Sequence, residues 1–376
     1  MDRRLSGSLA LTLVGSTLLA PQLPALSQTL QGGDVVAANV DLAGSSRRIP
    51  SSFAGFSIEF SSLLSFTGRT STTVNPSFTQ LLKNLGQYNN GLPLIRIGGN
   101  TAEKVWFNPD GQPLPPGITY NITPTYLAAV GASFSQSGAN LMMGLNLAKN
   151  DPTYAIDLAR AAVSYIPAER IFSFQMGNEA NIFPYKTYYT DPATGQAVLM
   201  RPSDWTFAEY IGEFDTHKNA LRSAVASGLP LSGPVFSGGQ KDDGRWKKYM
   251  GEFMAAEGAD INSVSYHGYP YTACPDDPAA IPTIADVLSE KASHDFAQGF
   301  APIVAAASAH GKQVRISETN SMTCGGVDGV SNTLAAALWA TDMMFEAANV
   351  GAGGVNIISG SQPHMSPMYF DGHIDY

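Results

Sequence analysis

Two glutamates close apolar, strand-like runs of this chain. One run ends Met176-Gly177-Asn178-Glu179 and the other Ile316-Ser317-Glu318-Thr319-Asn320. Two carboxyls can break a glycosidic bond through a covalent intermediate. One, protonated, serves the leaving oxygen, while the other, ionised, attacks the anomeric carbon. Their surroundings split the two pKa values, so one side-chain type fills both roles. Asn178, directly before Glu179, can donate its amide to a sugar 2-hydroxyl. The alternative for either glutamate alone is a cap on the following helix.

Other polar residues end similar runs. Arg96 can orient a carboxylate by bidentate pairing, Glu318 foremost; its alternative is a structural ion pair. His267 and Tyr269 end one run, and a phenol beside a nucleophilic carboxylate can hold its charge, although an aromatic in a sugar site can also be a stacking platform. Asn146 and Glu59 are candidate sugar-hydroxyl contacts. The chain has no GxSxG, HExxH or CxxC spacing, and neither Gly98-Gly99 nor Gly353-Gly354 fits a phosphate loop. Neither a metal nor a cofactor is expected.

These residues need a scaffold that brings strand ends together. Eight apolar runs qualify as strands: 54–61, 92–99, 140–147, 171–179, 231–237, 263–269, 313–319 and 353–359. Helical patterns lie between them, among them 152–166, 205–227, 283–309 and 332–349. Strict alternation implies a parallel sheet, and eight strands imply a closed (β/α)₈ TIM barrel with its site at the strand C-termini. The barrel is assigned to residues 51–360, with a strand-like N-terminal extension at 28–50 (alternating over 34–43) and a tail at 361–376. Pro363 and Pro367 discourage an eighth helix. The seam between the last and first strands is therefore expected to lie open.

Arg3, Arg4 and the apolar stretch Leu9–Ala20 read as a signal peptide over 1–27, too short to span a bilayer. An exported chain is expected to pair its two cysteines, Cys274 and Cys324; two buried free thiols are the alternative. Asn121 opens the glycosylation sequon, followed by Pro124. A net charge of −9 without any Lys/Arg run argues against nucleic acid or an anionic membrane as partner.

The segments Phe56–Phe60, Arg96–Asn100, Gly177–Ala180, Tyr266–Tyr269 and Ser317–Ser321 together resemble glycoside hydrolase family 79, the heparanases and microbial β-glucuronidases, over about residues 35–360. In style the chain is most similar to the fungal β-glucuronidase branch. The resemblance implies Glu179 as acid/base, Glu318 as nucleophile, and Glu59, Asn100, Asn178, His267 and Tyr269 as site contacts. Gly325 and Gly326 would offer backbone N–H groups to a glucuronate carboxylate, with a Cys274–Cys324 bridge bracing their loop. Two departures stand out: no tyrosine follows strand eight before Tyr369, and the family's C-terminal β-sandwich is not expected here. The expected activity is secreted, retaining removal of β-linked glucuronic acid or its 4-O-methyl form from polysaccharide or proteoglycan glycans. An endo-acting heparanase-like hydrolase and an inactive carbohydrate-binding remnant are the alternatives.

Overall fold

Eight short strands, each followed or preceded by helix, close on themselves in chain order. The computed structural model describes residues 48–87, 91–238, 246–360, 362 and 364–368; the expected signal peptide and the extra strand at 34–43 lie outside the described residues. The strands are β1 (Ala54–Glu59), β2 (Leu94–Gly98), β3 (Asn140–Leu145), β4 (Ile171–Met176), β5 (Leu231–Gly238), β6 (Ser263–Gly268), β7 (Val314–Thr319) and β8 (Gly354–Ser359). Every neighbouring pair is parallel, and β8 returns to β1, from Ala54 opposite Val355 to Ile58 opposite Ser359. This is the (β/α)₈ barrel expected.

The outer layer comprises α1 (Pro76–Gln87), α2 (Pro124–Ser137), α3 (Pro152–Tyr165), α4 (Phe207–Ala224), α5 (Met250–Glu257), α6 (Ala301–Ser308) and α7 (Leu334–Val350). Their boundaries follow local chemistry. Thr123 and Asp151 cap α2 and α3 ahead of first-turn prolines, and Thr206 with Glu209 forms a capping box on α4. The helix expected over 283–309 is broken into Ile284–Val287, His294–Gln298 and α6. Pro302, in the first turn of α6, cannot continue a preceding helix. Trp339 Nε1 of α7 donates to the Ala292 carbonyl at 2.8 Å, fixing the gap between the first two pieces.

At the seam where an outer cover was not expected, all six residues of β8 are buried, while Ala54 and Phe56 of β1 are half-buried. Among the described residues past Ser359 the backbone makes turns and bends. The large apolar side chains left in solvent include Leu334, Leu338 and Phe345 of α7. No helix among the described residues is long and apolar enough to cross a membrane.

The barrel interior is layered and polar. Near its floor Arg315 of β7, buried, donates to Asn356 Oδ1 at 2.8 Å and to the Ser52 carbonyl. Desolvation pulls its pKa down to about 9. In the same lower part of the interior Ser232 bonds both Ser173 and Ser263, at 2.6 and 3.0 Å. The top layer belongs to the site. Behind β5, Tyr210 and Phe214 of α4 pack with Phe236 and Phe253, the Tyr210–Phe236 ring centroids standing 5.0 Å apart.

Past β6 and β7, Tyr271–Thr272 pairs in parallel with Met322–Thr323, and Cys274 is bonded to Cys324 with Cα atoms 5.9 Å apart. The bridge closes 50 residues of chain. Loop-closure entropy assigns such a bridge about 4 kcal/mol. Reduction is therefore expected to lower the melting temperature by several degrees, measured by calorimetry with and without reductant. Coincident melts would show that the bridge does not support the fold.

Candidate active site

At the strand C-termini the floor of the site is one guanidinium. Arg96 of β2 is wholly buried and opposite Ser57 in register. Its Nη1 donates to Glu318 Oε2 at 2.5 Å and to Ser57 Oγ at 3.1 Å. Its Nε reaches Gln175 Oε1 at 2.8 Å, and Nη2 reaches Asn178 Oδ1 at 2.7 Å. The contact with Glu318 is thus a single strong bond, not the bidentate pair expected. The remaining donors tie β1 and β4 to the same cation. Gln175 passes the network on through Ser265 Oγ (2.7 Å) to Ser317 (2.5 Å). A Cβ on Gly98 would stand 2.7 Å from Arg96 Nε, so only glycine fits there.

Glu318 ends β7 with both oxygens engaged: Arg96 holds Oε2, and Tyr269 donates its hydroxyl to Oε1 at 2.7 Å. Burial first, then the charge of Glu318, raises the Tyr269 pKa well above its usual value and keeps the phenol a donor. Glu179 follows β4 in left-handed backbone, φ 56°, with its N–H donated to the Val235 carbonyl at 2.7 Å. Such backbone costs a non-glycine residue about 1–3 kcal/mol and marks a constrained site.

Each oxygen of Glu179 also has a donor. Lys186 Nζ lies 2.8 Å from Oε2, and His267 Nδ1 lies 3.2 Å from Oε1. Burial alone would raise the carboxyl, but Lys186 and then His267 outweigh it, holding its pKa well below the carboxylate range. Glu179 in turn keeps Lys186 above its usual value against the pull of burial. His267 Nε2 is buried without a partner among the described residues, and we place a ring proton on Nδ1, where the Glu179 carboxylate accepts it.

One oxygen of Glu179, one of Glu318 and a nitrogen of His267 all lie within 4.8 Å of one another. A metal ion fits this trio poorly. Arg96 and Lys186 already neutralise its two carboxylates, and a third cation would stand beside both.

The residues singled out in the sequence fall into two groups. Glu59, Asn100, Glu179, Tyr269, Glu318 and Gly325 line one cavity of about 510 Å³, with Arg96, Asn178 and His267 packed beneath it. Glu59 accepts from the backbone N–H of Asn100 (2.9 Å) and of Thr101 (2.8 Å), holding the turn that follows β2. Burial, then the charge of Glu318, raises its pKa. Asn146 and Gly326 stand apart. The Asn146 amide is committed to the Glu103 and Val105 carbonyls at 2.9 and 3.3 Å, inside the wall. Gly326 donates its N–H to the Thr323 carbonyl and backs onto Ser331. Asn121 is exposed on a short strand and does not line the cavity.

Several site residues carried no sequence signal. Gln362 stands in the cavity, its Oε1 against Gly325. Lys186 lies seven residues past Glu179 in an irregular segment. Glu103, wholly buried, accepts N–H groups from Leu147 (2.8 Å), Ala148 (2.7 Å) and Asn178. It thereby joins the turn before the acid candidate to the neighbouring strand end. Gln175 alone was traceable, as an inward polar residue in β4.

No protein-family model matches the chain. A curated β-glucuronidase of Neurospora crassa is 27% identical over 345 residues, 85% of this chain and 59% of that protein. One from Aspergillus niger is 28% identical over 190 residues, 47% of this chain and 33% of its own. The chain thus spans about three fifths or less of the curated relatives it matches. Among solved structures, a 4-O-α-L-rhamnosyl-β-D-glucuronidase from Fusarium oxysporum, in complex with Rha-GlcA, superposes with a TM-score of 0.64 at 23% identity, covering 84% of this chain and 68% of that one. These similarities bear out the resemblance to glycoside hydrolase family 79.

Glu103 gives the site a pH signature in stability. Desolvation raises its pKa to about 7 against three lowering N–H bonds. Between its unfolded value near 4.5 and about 7 the native state holds a proton that the unfolded chain has released. Stability from this residue therefore falls as pH rises through that window, by roughly 3 kcal/mol. In urea titrations from pH 4 to 8, the stability advantage of wild type over Glu103→Gln should shrink across the window. A constant difference would show that Glu103 keeps one charge state throughout.

Proposed function

From its kinship with the β-glucuronidases of glycoside hydrolase family 79, we propose that this chain carries the catalytic barrel of an exported, retaining β-glucuronidase. Its substrate is terminal β-linked glucuronic acid, or the 4-O-methyl form, on polysaccharide or proteoglycan glycans. The observation that carries the reading is the facing pair Glu179 and Glu318 on one cavity, with an oxygen of each within 4.8 Å of the other. Retaining enzymes hold their carboxyls about 5–5.5 Å apart, whereas inverting ones leave about 6.5–9.5 Å for a water. The bonded cysteines support export into an oxidising compartment.

In the first step a Glu318 oxygen attacks the anomeric carbon, the glycosidic C–O bond breaks, and Glu179 gives its proton to the departing oxygen. In the second, Glu179 takes a proton from water as that water displaces Glu318 from the same carbon. Arg96 and Tyr269 steady the charge that returns to Glu318. The sugar carboxylate is received by the Gly325 backbone, with the Gln362 amide supplying the side-chain contact where relatives carry a tyrosine. Only 22 lysines and arginines are spread over the chain, which favours exo action over cleavage within a sulfated polymer.

Aryl β-glycosides of glucuronic acid, glucose, galactose and xylose, assayed in parallel, test the reading: only the glucuronide should turn over. Glu318→Ala should lose at least about a thousandfold in kcat on it. Glu179→Ala should lose about 10²–10⁴-fold on poor leaving groups and far less on activated ones. NMR should detect β-product first. Equal losses for both variants on an activated glycoside, or initial α-product, would refute the assigned roles.

A further inference from the structure

Glu179 cannot act as an acid in the arrangement it holds. One oxygen accepts from Lys186 and the other faces His267 Nδ1, so with the ring proton on that nitrogen a proton on either oxygen would face a donor. One partner must withdraw before a leaving group is protonated. His267 is wholly buried at the end of β6, and the other acceptor beside its Nδ1, Glu318 Oε2, stands 3.9 Å away, beyond hydrogen-bond reach. Lys186 differs on both counts. Its side chain is 26% exposed on a flexible stem, and its Nζ already lies 2.7 Å from Asn100 Oδ1.

Resting on the glycosidase reading above, we infer that Lys186 is a positioning residue that decides which role Glu179 plays. Docked on the carboxylate, it holds the ionised form that activates water in the second step. Drawn onto Asn100 alone as the leaving group enters, it frees Oε2 to carry the proton of the first step. The other groups facing Glu179 are fixed. They are His267 and Tyr269 at the end of β6, Glu318 on β7, and Arg96 and Glu103, which act through Asn178. Lys186 is the one mobile cation among them.

The test uses ¹³C-carboxyl NMR titration of the ligand-free chain, with Glu179→Gln to assign the resonance. Lys186→Met is expected to raise the Glu179 titration by about one pH unit or more, because an adjacent opposite charge shifts a carboxyl by about 1–3. The alkaline limb of kcat/KM for a poorly activated glucuronide should move up with it. Turnover of an activated aryl glucuronide, limited by the second step, should fall about tenfold or more. Lys186→Arg should restore both. A Lys186→Met titration that overlays wild type would overturn the inference, as would Lys186→Arg behaving like Lys186→Met. A titration that moves as expected in a chain cleaving no glycoside would support the coupling and reject only the glycosidase reading.

Discussion

A guanidinium with no access to water must find an acceptor for its N–H groups, and it requires a nearby anion. Arg96 meets both demands by gathering Ser57, Gln175, Asn178 and Glu318 from three other strands and their ends. Removing one partner of such a buried pair typically costs about 3–5 kcal/mol, so the cation fixes its neighbours as firmly as they fix it. Glu318 is aimed by that bond. Asn178 is anchored by its oxygen, which leaves its amide nitrogen available. The glycine at 98 follows from the same crowding, since the guanidinium occupies the space a side chain would need.

The charge balance above this floor is uneven in an informative way. Arg96 and Lys186 each sit on one carboxylate, but three carboxyls share the cavity. Glu59 is the third, held by N–H groups instead of a cation, and burial, then the charge of Glu318, raises its pKa. Gly325, directly after the bonded Cys324, lines the same cavity next to Gln362 and offers it neutral groups beside the carboxyls.

The barrel was legible because its strands are short, apolar on both faces and separated by helices with explicit caps, as at Thr206 and Glu209. The catalytic candidates were legible because polar side chains at the ends of apolar strands have few structural reasons to be there. Where a residue's partners come from distant sequence, the reading stopped. Nothing local distinguishes Asn146, which braces a wall, from Asn178, which faces the site. Glu103 and Lys186 take partners 45–86 residues away. The helix over 283–309 is broken by Pro302, within it, and by the contact with Trp339, 47 residues from Ala292, which together outweigh an alanine-rich pattern.

The left-handed backbone at Glu179 sets selection for durability against selection for turnover. Glycine and asparagine adopt that conformation at little cost, but either would leave Lys186 without its carboxylate. A library sorted only for heat resistance would weigh relief of the backbone against that orphaned cation, and the balance at this one position would measure how far the strain is offset by the charges around it.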